Sequence, residues 1–265
     1  MSVSRIVSCT PSTTDILMLF GLAEQLVGVD EQSLNQNPTL RVEGLGPVDN
    51  LNVPRILELK PDLVVAVSTV PGAEASIDWL RDEGVNVLSL STERFDDLLA
   101  DIYTIGVECE LESMARELVA ELNERIKRLC SFVRLTDEPL RVYVELWPNP
   151  FVTAGHESWL TDILRKAGAV NIFSDVPESS FMVEEDEILE REPEAIFLSW
   201  AGYGDDLDAS DLDSVLNRLR WKNLAAIQRK QVHLLPNSLF SFPGPRLIEG
   251  LELVIELVAA SAERR

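Results

Sequence analysis

The residues able to support catalysis or metal binding are few. They are His156 and His233, the cysteines Cys9, Cys109 and Cys130, and two acidic runs. His156 follows Thr153-Ala-Gly155 at the start of a helix, and His233 lies inside the apolar strand Val232-His-Leu-Leu. Both read as capping, structural or partly buried side chains rather than as acid/base groups or metal ligands. The cysteines are odd in number and lack metal-ligand spacing, so neither a disulfide framework nor a zinc site follows. No nucleophile elbow, Walker loop, dinucleotide fingerprint or paired-His motif occurs. The run Asp205, Asp206, Asp208, Asp211, Asp213 lacks the Gly and terminal Glu of a calcium loop, and with Glu184–Glu187 it reads as a solvated face. Ser210-Asp211 in that run suits a helix cap. The expectation is a protein without catalytic residues, metal site or cofactor. The contrary reading, a metal-chelatase-like or hydrolytic enzyme, would have to rest on His156, Glu157 and His233.

Aromatic placement says more. Trp147, Phe151, Trp159, Phe181, Trp200, Tyr203, Phe240 and Phe242 fall mostly at or just past strand ends in the second half of the chain. Loop aromatics after strands can form a platform for a large, flat, partly apolar ligand, because they supply contact area at low entropic cost. As a group they favour binding over catalysis.

Charge narrows the partners. The 265 residues carry 45 acidic and 23 basic side chains, a net charge of -22, and only five of the basic ones are Lys. Such a surface repels nucleic acid and anionic lipid and suits a salt-rich environment that screens self-repulsion. With 46% hydrophobic residues the chain can bury a sizeable core. Neither a secretory leader nor an apolar run long enough to span a membrane is visible. The expected location is periplasmic or extracellular, at the membrane through a permease, if a leader is removed, and cytoplasmic if Met1 is the native start.

The elements that must position these residues alternate as in α/β folds. In the first half, strands are predicted at Ile6–Ser8, Leu26–Val29, Leu63–Val67 and Val85–Leu90, with helices at about 12–20, 53–59, 73–83 and 95–106. Apolar residues from Leu111 to Val133 keep helical spacing without Gly or Pro, which predicts one helix over about 110–134, roughly 37 Å long. Strands follow at about 140–146, 170–173, 195–199 and 231–235, and a closing helix at about 245–262. Pro54-Arg-Ile-Leu-Glu-Leu-Lys-Pro-Asp-Leu-Val-Val-Ala reads against Asp186-Glu-Ile-Leu-Glu-Arg-Glu-Pro-Glu-Ala-Ile-Phe-Leu, 132 positions on. Two Rossmann-like α/β lobes are therefore expected: an N-terminal lobe over 1–107, a connecting long helix over 108–135 and a C-terminal lobe over 136–265. A helical connector predicts little hinge closure, and ligand is expected in the inter-lobe cleft.

Four segments carry a family resemblance. They are Arg5-Ile-Val-Ser-Cys-Thr-Pro-Ser-Thr-Thr-Asp-Ile-Leu with Leu-Val-Gly-Val29, Ile56-Leu-Glu-Leu-Lys-Pro-Asp-Leu-Val, Pro150-Phe-Val-Thr-Ala-Gly-His-Glu-Ser with Ala167-Gly-Ala-Val-Asn-Ile-Phe, and Asn237-Ser-Leu-Phe-Ser-Phe-Pro-Gly-Pro-Arg-Leu-Ile-Glu-Gly-Leu-Glu-Leu. Across nearly the whole chain this resembles the helical-backbone substrate-binding proteins (class III, cluster A-II type) of ABC importers for cobalamin, siderophores and haem. The last segment, with Leu198-Ser-Trp-Ala-Gly-Tyr-Gly, is most similar to the cobalamin-binding branch. The resemblance implies a monomer that binds a corrinoid, cobalamin or cobinamide, without chemistry and delivers it to an ABC permease. A ferric siderophore or haem is the alternative ligand. The implied ligand contacts are Ser12, Thr13, Trp147, Phe151, Trp200, Tyr203, Phe240, Phe242 and Arg246. A carboxylate on each lobe is implied for docking. Glu74 occupies the first position, while the second falls on Ser241, with Glu249 as the substitute. The first-lobe loops 30–38 and 67–72 lack the aromatic residues of cobalamin binders, which predicts a polar wall there built from Ser12, Thr13, the 30–38 loop and Ser68.

Overall fold

A computed structural model describes residues 3–70, 72–133, 136–200 and 208–264. The chain divides into two compact units. The first comprises Met1–Thr92, Asp96–Glu124 and Phe242–Pro245, and the second Glu93–Phe95, Arg125–Ser241 and Arg246–Arg265.

In the first unit come β1 (Ile6–Ser8), α1 (Pro11–Leu19), β2 (Leu26–Val29), α2 (Glu31–Gln36), β3 (Glu43–Gly44), α3 (Val53–Leu59), β4 (Leu63–Val67), α4 (Ala73–Asp82), β5 (Val87–Leu90) and α5 (Asp97–Glu108). The strands form one parallel sheet in the order β3-β2-β1-β4-β5. Every residue of β4 is buried, as its unbroken apolar run requires of a strand covered on both faces. Thr10 caps α1 by accepting from the Thr13 amide, with Pro11 in the first turn, and Gly21 with φ 72° follows the helix. The predicted strand from Val85 starts two residues later. Its first residues serve instead to end α4, where Gly84 has φ 79° and the Val85 amide donates to the Leu80 carbonyl.

Helix α6 (Glu112–Ser131) is shorter than the 110–134 expected, 20 residues or about 30 Å. Glu110, with φ 61°, breaks the helical path between α5 and α6. At the other end three-residue turns take over, the amides of Phe132 and Val133 donating to the Leu129 and Cys130 carbonyls. The boundary between the units falls inside α6, after Glu124. Gly106 lets α5 approach α6, since a Cβ there would lie 2.8 Å from the Phe20 ring and collide with the Ala115 side chain.

The second unit holds β6 (Leu140–Pro148), β7 (Phe151–Ala154), α7 (Trp159–Lys166), β8 (Ala169–Asn171), β9 (Ser180–Met182), α8 (Glu185–Glu190), β10 (Ala195–Leu198), α9 (Ala209–Leu216), α10 (Ala225–Gln228), β11 (Val232–Leu234), α11 (Asn237–Phe240) and α12 (Leu247–Ala262). β6 is flanked in parallel by β8 and β10, and β11 lies beyond β10. This repeats the order β2-β1-β4-β5 of the first unit. The 132-residue offset seen in sequence governs the backbone too. Helices α3 and α8 start at 53 and 185, β4 and β10 start at 63 and 195, and Lys60 and Glu192 both take left-handed φ, 48° and 45°. Each stands before a proline, where the right-handed helical conformation is disfavoured. The second unit departs from the first by an antiparallel extension, β7 and β9, built onto the far half of β6.

The core of the second unit gathers around Trp221, which is fully buried. It meets Tyr143 edge-on at 5.9 Å and Phe151 at 5.7 Å, and its Nε1 donates to Glu185 Oε1. The short segment 93–95 belongs to this unit because Arg94 grips the buried carboxylate of Asp162 on α7 through Nε at 2.8 Å and Nη2 at 2.5 Å, while the Phe95 amide donates to the same group. Burial raises the affinity of Asp162 for a proton, but these donors and Arg165 outweigh it and hold the carboxyl below its usual range. A depressed carboxyl contributes stability that is present above its unfolded pKa and disappears as pH falls through the folded value. Arg94→Met is therefore expected to destabilise the protein by about 2 kcal/mol at neutral pH, with the loss shrinking in acid. Urea unfolding at several pH values checks this; equal losses at neutral and strongly acidic pH would contradict it.

Candidate functional site

In parallel α/β sheets the loops at the carboxyl ends of the strands collect ligands, so these ends are where each unit is expected to bind. In the first unit, the ends of β1 and β2 carry the α1 N-terminus and α2. Sequence reading places Ser12 and Thr13 there in a small polar wall, and the structure shows how enclosed they are. Both are buried, with Thr13 fully enclosed, and their hydroxyls bond within the unit to Thr10 at 3.0 Å each. Gly244 of the 242–245 segment lies directly on Ser12, where a Cβ would sit 2.9 Å from its Cα. The 30–38 loop contains α2, capped by Asp30. On that helix Gln32 and Gln36, one turn apart, hold side-chain oxygens that are buried and meet no hydrogen-bond donor among the described residues. Sequence reading includes both only within the polar 30–38 wall and singles out neither, because two glutamines in a polar stretch carry no periodic signal. Buried acceptors without partners are uncommon, and each calls for an explanation.

In the second unit, Trp147 near the end of β6 is 36% exposed, and its Nε1 donates to the Asn149 carbonyl at 3.0 Å. It stands opposite Val152 on β7, which stands opposite Met182 on β9, giving an apolar cross-strand row that ends in the 73% exposed Met182. Phe151 is half-buried against Trp221 rather than turned outward.

Two of the expected ligand aromatics are core residues instead. Trp200 is 4% exposed; its Nε1 donates to Glu145 Oε1 at 3.0 Å and its carbonyl accepts from Asn237. Phe240 is 1% exposed against Gly250 of α12, and its carbonyl accepts from Trp159 Nε1. Their rings fill space beneath the strand ends. Phe242 and Arg246 are half-buried, and Tyr203 lies outside the described residues.

One charged pair was not foreseen. Glu145 on β6 is fully buried and accepts from both Arg218 Nη atoms at 2.6 and 2.8 Å. The guanidinium stacks 4.4 Å from the Trp221 ring and 5.0 Å from Phe151. The two partners stand 73 residues apart in sequence. The arrangement neutralises both charges beneath the strand ends of β6 and β10.

The two histidines of the enzymatic reading have other partners. His156 Nδ1 lies 3.0 Å from the Ser174 carbonyl, and its ring precedes α7, which Ser158 caps. His233 Nε2 lies near Gln231 and Ser261, its ring is edge-on to Phe197, and burial lowers its pKa. Burial pushes the Cys9 thiol strongly up and that of Cys109 up to about 11, so neither is a poised nucleophile. Among the described residues no group of three or more His, Cys, Asp or Glu side chains is arranged to hold a metal ion, and no helix is long and apolar enough to cross a membrane. Glu74, in the first turn of α4, and Glu249, in the first turn of α12, are exposed; Ser241 ends α11.

Comparison with known proteins gives the same direction. The family model for a periplasmic binding protein matches residues 6–239. An uncharacterized ABC transporter substrate-binding lipoprotein, YvrC of Bacillus subtilis, is 29% identical over 259 residues, covering 96% of this chain and 79% of its own. A vitamin B12-binding protein of Vibrio cholerae is 25% identical over 254 residues, covering 94% and 87%. A crystal structure of a possible iron-binding, periplasmic solute-binding protein of Staphylococcus epidermidis superimposes with a TM-score of 0.83 at 25% identity, covering 97% of this chain and 99% of that one. With two α/β units of repeated topology and a match over most of its length, the chain belongs to the periplasmic binding protein family, as a substrate-binding protein of an ABC importer.

Proposed function

We propose that the ligand is a corrinoid, cobalamin or cobinamide. The observation that carries this reading is the pair of orphaned acceptors, Gln32 Oε1 and Gln36 Oε1, on the helix that follows the carboxyl end of β2. Acceptors without donors on a helix that follows a strand's carboxyl end suit a ligand rich in N–H donors, and the corrin edge carries primary carboxamides. Haem and the anionic ferric siderophores present chiefly acceptor oxygens, which need cations rather than amide oxygens. The similarity to a vitamin B12-binding protein supports the same choice. Trp147 and Phe242 are the proposed apolar contacts and Arg246 a proposed polar one, with Phe151, Trp200 and Phe240 acting from beneath as packing. The protein is proposed to bind and release its ligand unchanged, so no residue is assigned a catalytic role.

Gln32→Leu and Gln36→Leu test the reading through two effects of opposite sign. Each is expected to weaken cobalamin binding by about 1 kcal/mol, a factor of about five in Kd. Neither should lower the melting temperature of the free protein, because a buried polar atom without a partner is removed. Unchanged affinity in both variants, measured by calorimetry, would remove the support for a corrinoid.

Glu74 is the proposed permease contact, exposed at the start of α4 five residues before Trp79, which is 47% exposed. Glu74→Arg is expected to leave ligand affinity unchanged and to abolish uptake in cells that carry the cognate permease. Normal uptake by that variant would place the docking surface elsewhere.

A further inference from the structure

Strand β6 changes register partway along its pairing with β7. Glu145 stands opposite Thr153, but Trp147 stands opposite Val152 and Pro148 opposite Phe151, so Leu146 is an extra residue without a partner, a β-bulge. Side chains alternate between the two faces of a sheet, and a shift of one residue exchanges the faces for everything beyond it. Glu145, Phe151 and Thr153 share the face turned to the core of the second unit, where Glu145 meets Arg218 and Phe151 packs against Trp221. In unbroken register Trp147 would join that face, opposite Phe151. The extra residue sends it to the other face, into the row Trp147, Val152, Met182.

The bulge is pinned on both sides. Before it, the Glu145 carboxylate is held by Arg218 at 2.6 and 2.8 Å, and its backbone carbonyl accepts from the Ser199 amide at 2.9 Å. Across it, the Thr153 hydroxyl donates to the Val144 carbonyl at 2.7 Å. After it, Trp147 Nε1 donates to the Asn149 carbonyl, a bond made by the edge of the indole. Leaving an indole 36% and a thioether 73% exposed forgoes the stabilisation that burying them would give. Apolar side chains exposed side by side mark binding surfaces.

We infer, on the reading of the ligand as a flat macrocycle, that the bulge at Leu146 is a positioning device and that Val152 and Met182 join Trp147 as the seat for one face of that ring. The row crosses three neighbouring strands, about 10 Å from first to last at the usual strand spacing, a width that a tetrapyrrole ring covers. It lies toward the carboxyl ends of β6 and β9, which run the same way because β7 is antiparallel to both. That is the end at which α/β sheets collect ligands. The indole supplies area, the branched valine a stiff floor, and the methionine a polarizable thioether that adapts to the ring it meets. No member of the row is charged, so the seat recognises the ring itself, whether corrin or porphyrin.

Met182→Ser carries the test, because a side chain this exposed can be cut back without unfolding the protein. The whole protein is titrated by calorimetry with cobalamin, cobinamide, haem and a ferric siderophore. A second sample, labelled with 13C at the methyl groups of its four methionines, is followed by NMR as cobalamin is added, and Met182→Ser assigns the Met182 signal by removing it. The expected result is about fivefold weaker binding of whichever macrocycle the wild type takes, at an unchanged melting temperature. Met182→Leu, which keeps the apolar area, should bind as the wild type does, and the Met182 methyl signal should move on saturation with cobalamin. Corrinoid affinity unchanged in Met182→Ser, with a methyl signal that stays in place, would overturn the seat and leave the corrinoid reading intact. Haem bound in place of a corrinoid, and weakened by Met182→Ser, would support the seat and overturn the corrinoid reading. Binding of the siderophore alone, or of none of the four, would overturn both.

Discussion

Replacement of Arg218 by methionine is expected to destabilise the protein by about 4 kcal/mol, because it leaves a fully buried carboxylate without its cation. Glu145 is 0% exposed, and Arg218 fills the space between it and the rings of Trp221 and Phe151. Trp200 Nε1 would remain as a donor to Glu145, one neutral bond where three bonds had held the charge. Glu145→Gln in the same chain should recover most of the loss, since it removes the stranded charge and keeps an acceptor for Trp200. A double-mutant cycle by urea unfolding gives the coupling directly. A coupling near zero would mean that the pair is not the electrostatic keystone of the second unit. The predicted loss is large enough to threaten folding of an ordinary domain at physiological temperature.

A second large effect is expected at Gly155. Its Cβ position would collide with the Glu178 carbonyl oxygen and lie 2.9 Å from that of Val176. Neither carbonyl can step aside freely. Val176 accepts from the His156 amide, Glu178 from the Glu157 amide, and the Gly155 amide itself donates to Ser179. Alanine must therefore push two backbone segments apart. The expected cost is about 3 kcal/mol, at the upper end of what overpacking usually exacts. A change of less than about 1 kcal/mol would show that the 174–179 turn yields easily. Because Gly155 lies between β7 and the cap of α7, the variant should also weaken the hairpin that carries Trp147.

How far the sequence foretells this depends on the length and patterning of each element. β1, β2 and β4 match their predicted limits because each is an apolar run closed by turn residues and covered on both faces. α3 matches its predicted 53–59, a segment that recurs at 132 residues' distance. α2, β3, β7 and β9 are not, since pieces of two to six residues are too short for either period to emerge. The site is harder to read than the fold. Trp147 and Trp200 both follow buried strand residues, and only tertiary structure decides that one indole is exposed while the other bonds to Glu145 inside the core. Ser12 and Thr13 look like a ligand wall until the 242–245 segment, 230 residues on, is seen to cover Ser12. Glu145 and Arg218 leave no local trace of one another, and the open acceptors of Gln32 and Gln36 exist only once their surroundings are folded.

The central claim is that this substrate-binding protein takes a neutral, amide-rich corrinoid rather than an anionic iron complex. Calorimetric titration with cobalamin, cobinamide, haem and a ferric siderophore, at physiological and high salt, tests it most directly. One-to-one binding of a corrinoid that survives high salt, and that Trp147→Ala weakens, is the expected result, since apolar and neutral hydrogen-bonded contacts are little screened. Preference for haem or the siderophore with affinity falling steeply as salt rises, or no binding of either corrinoid, would contradict it.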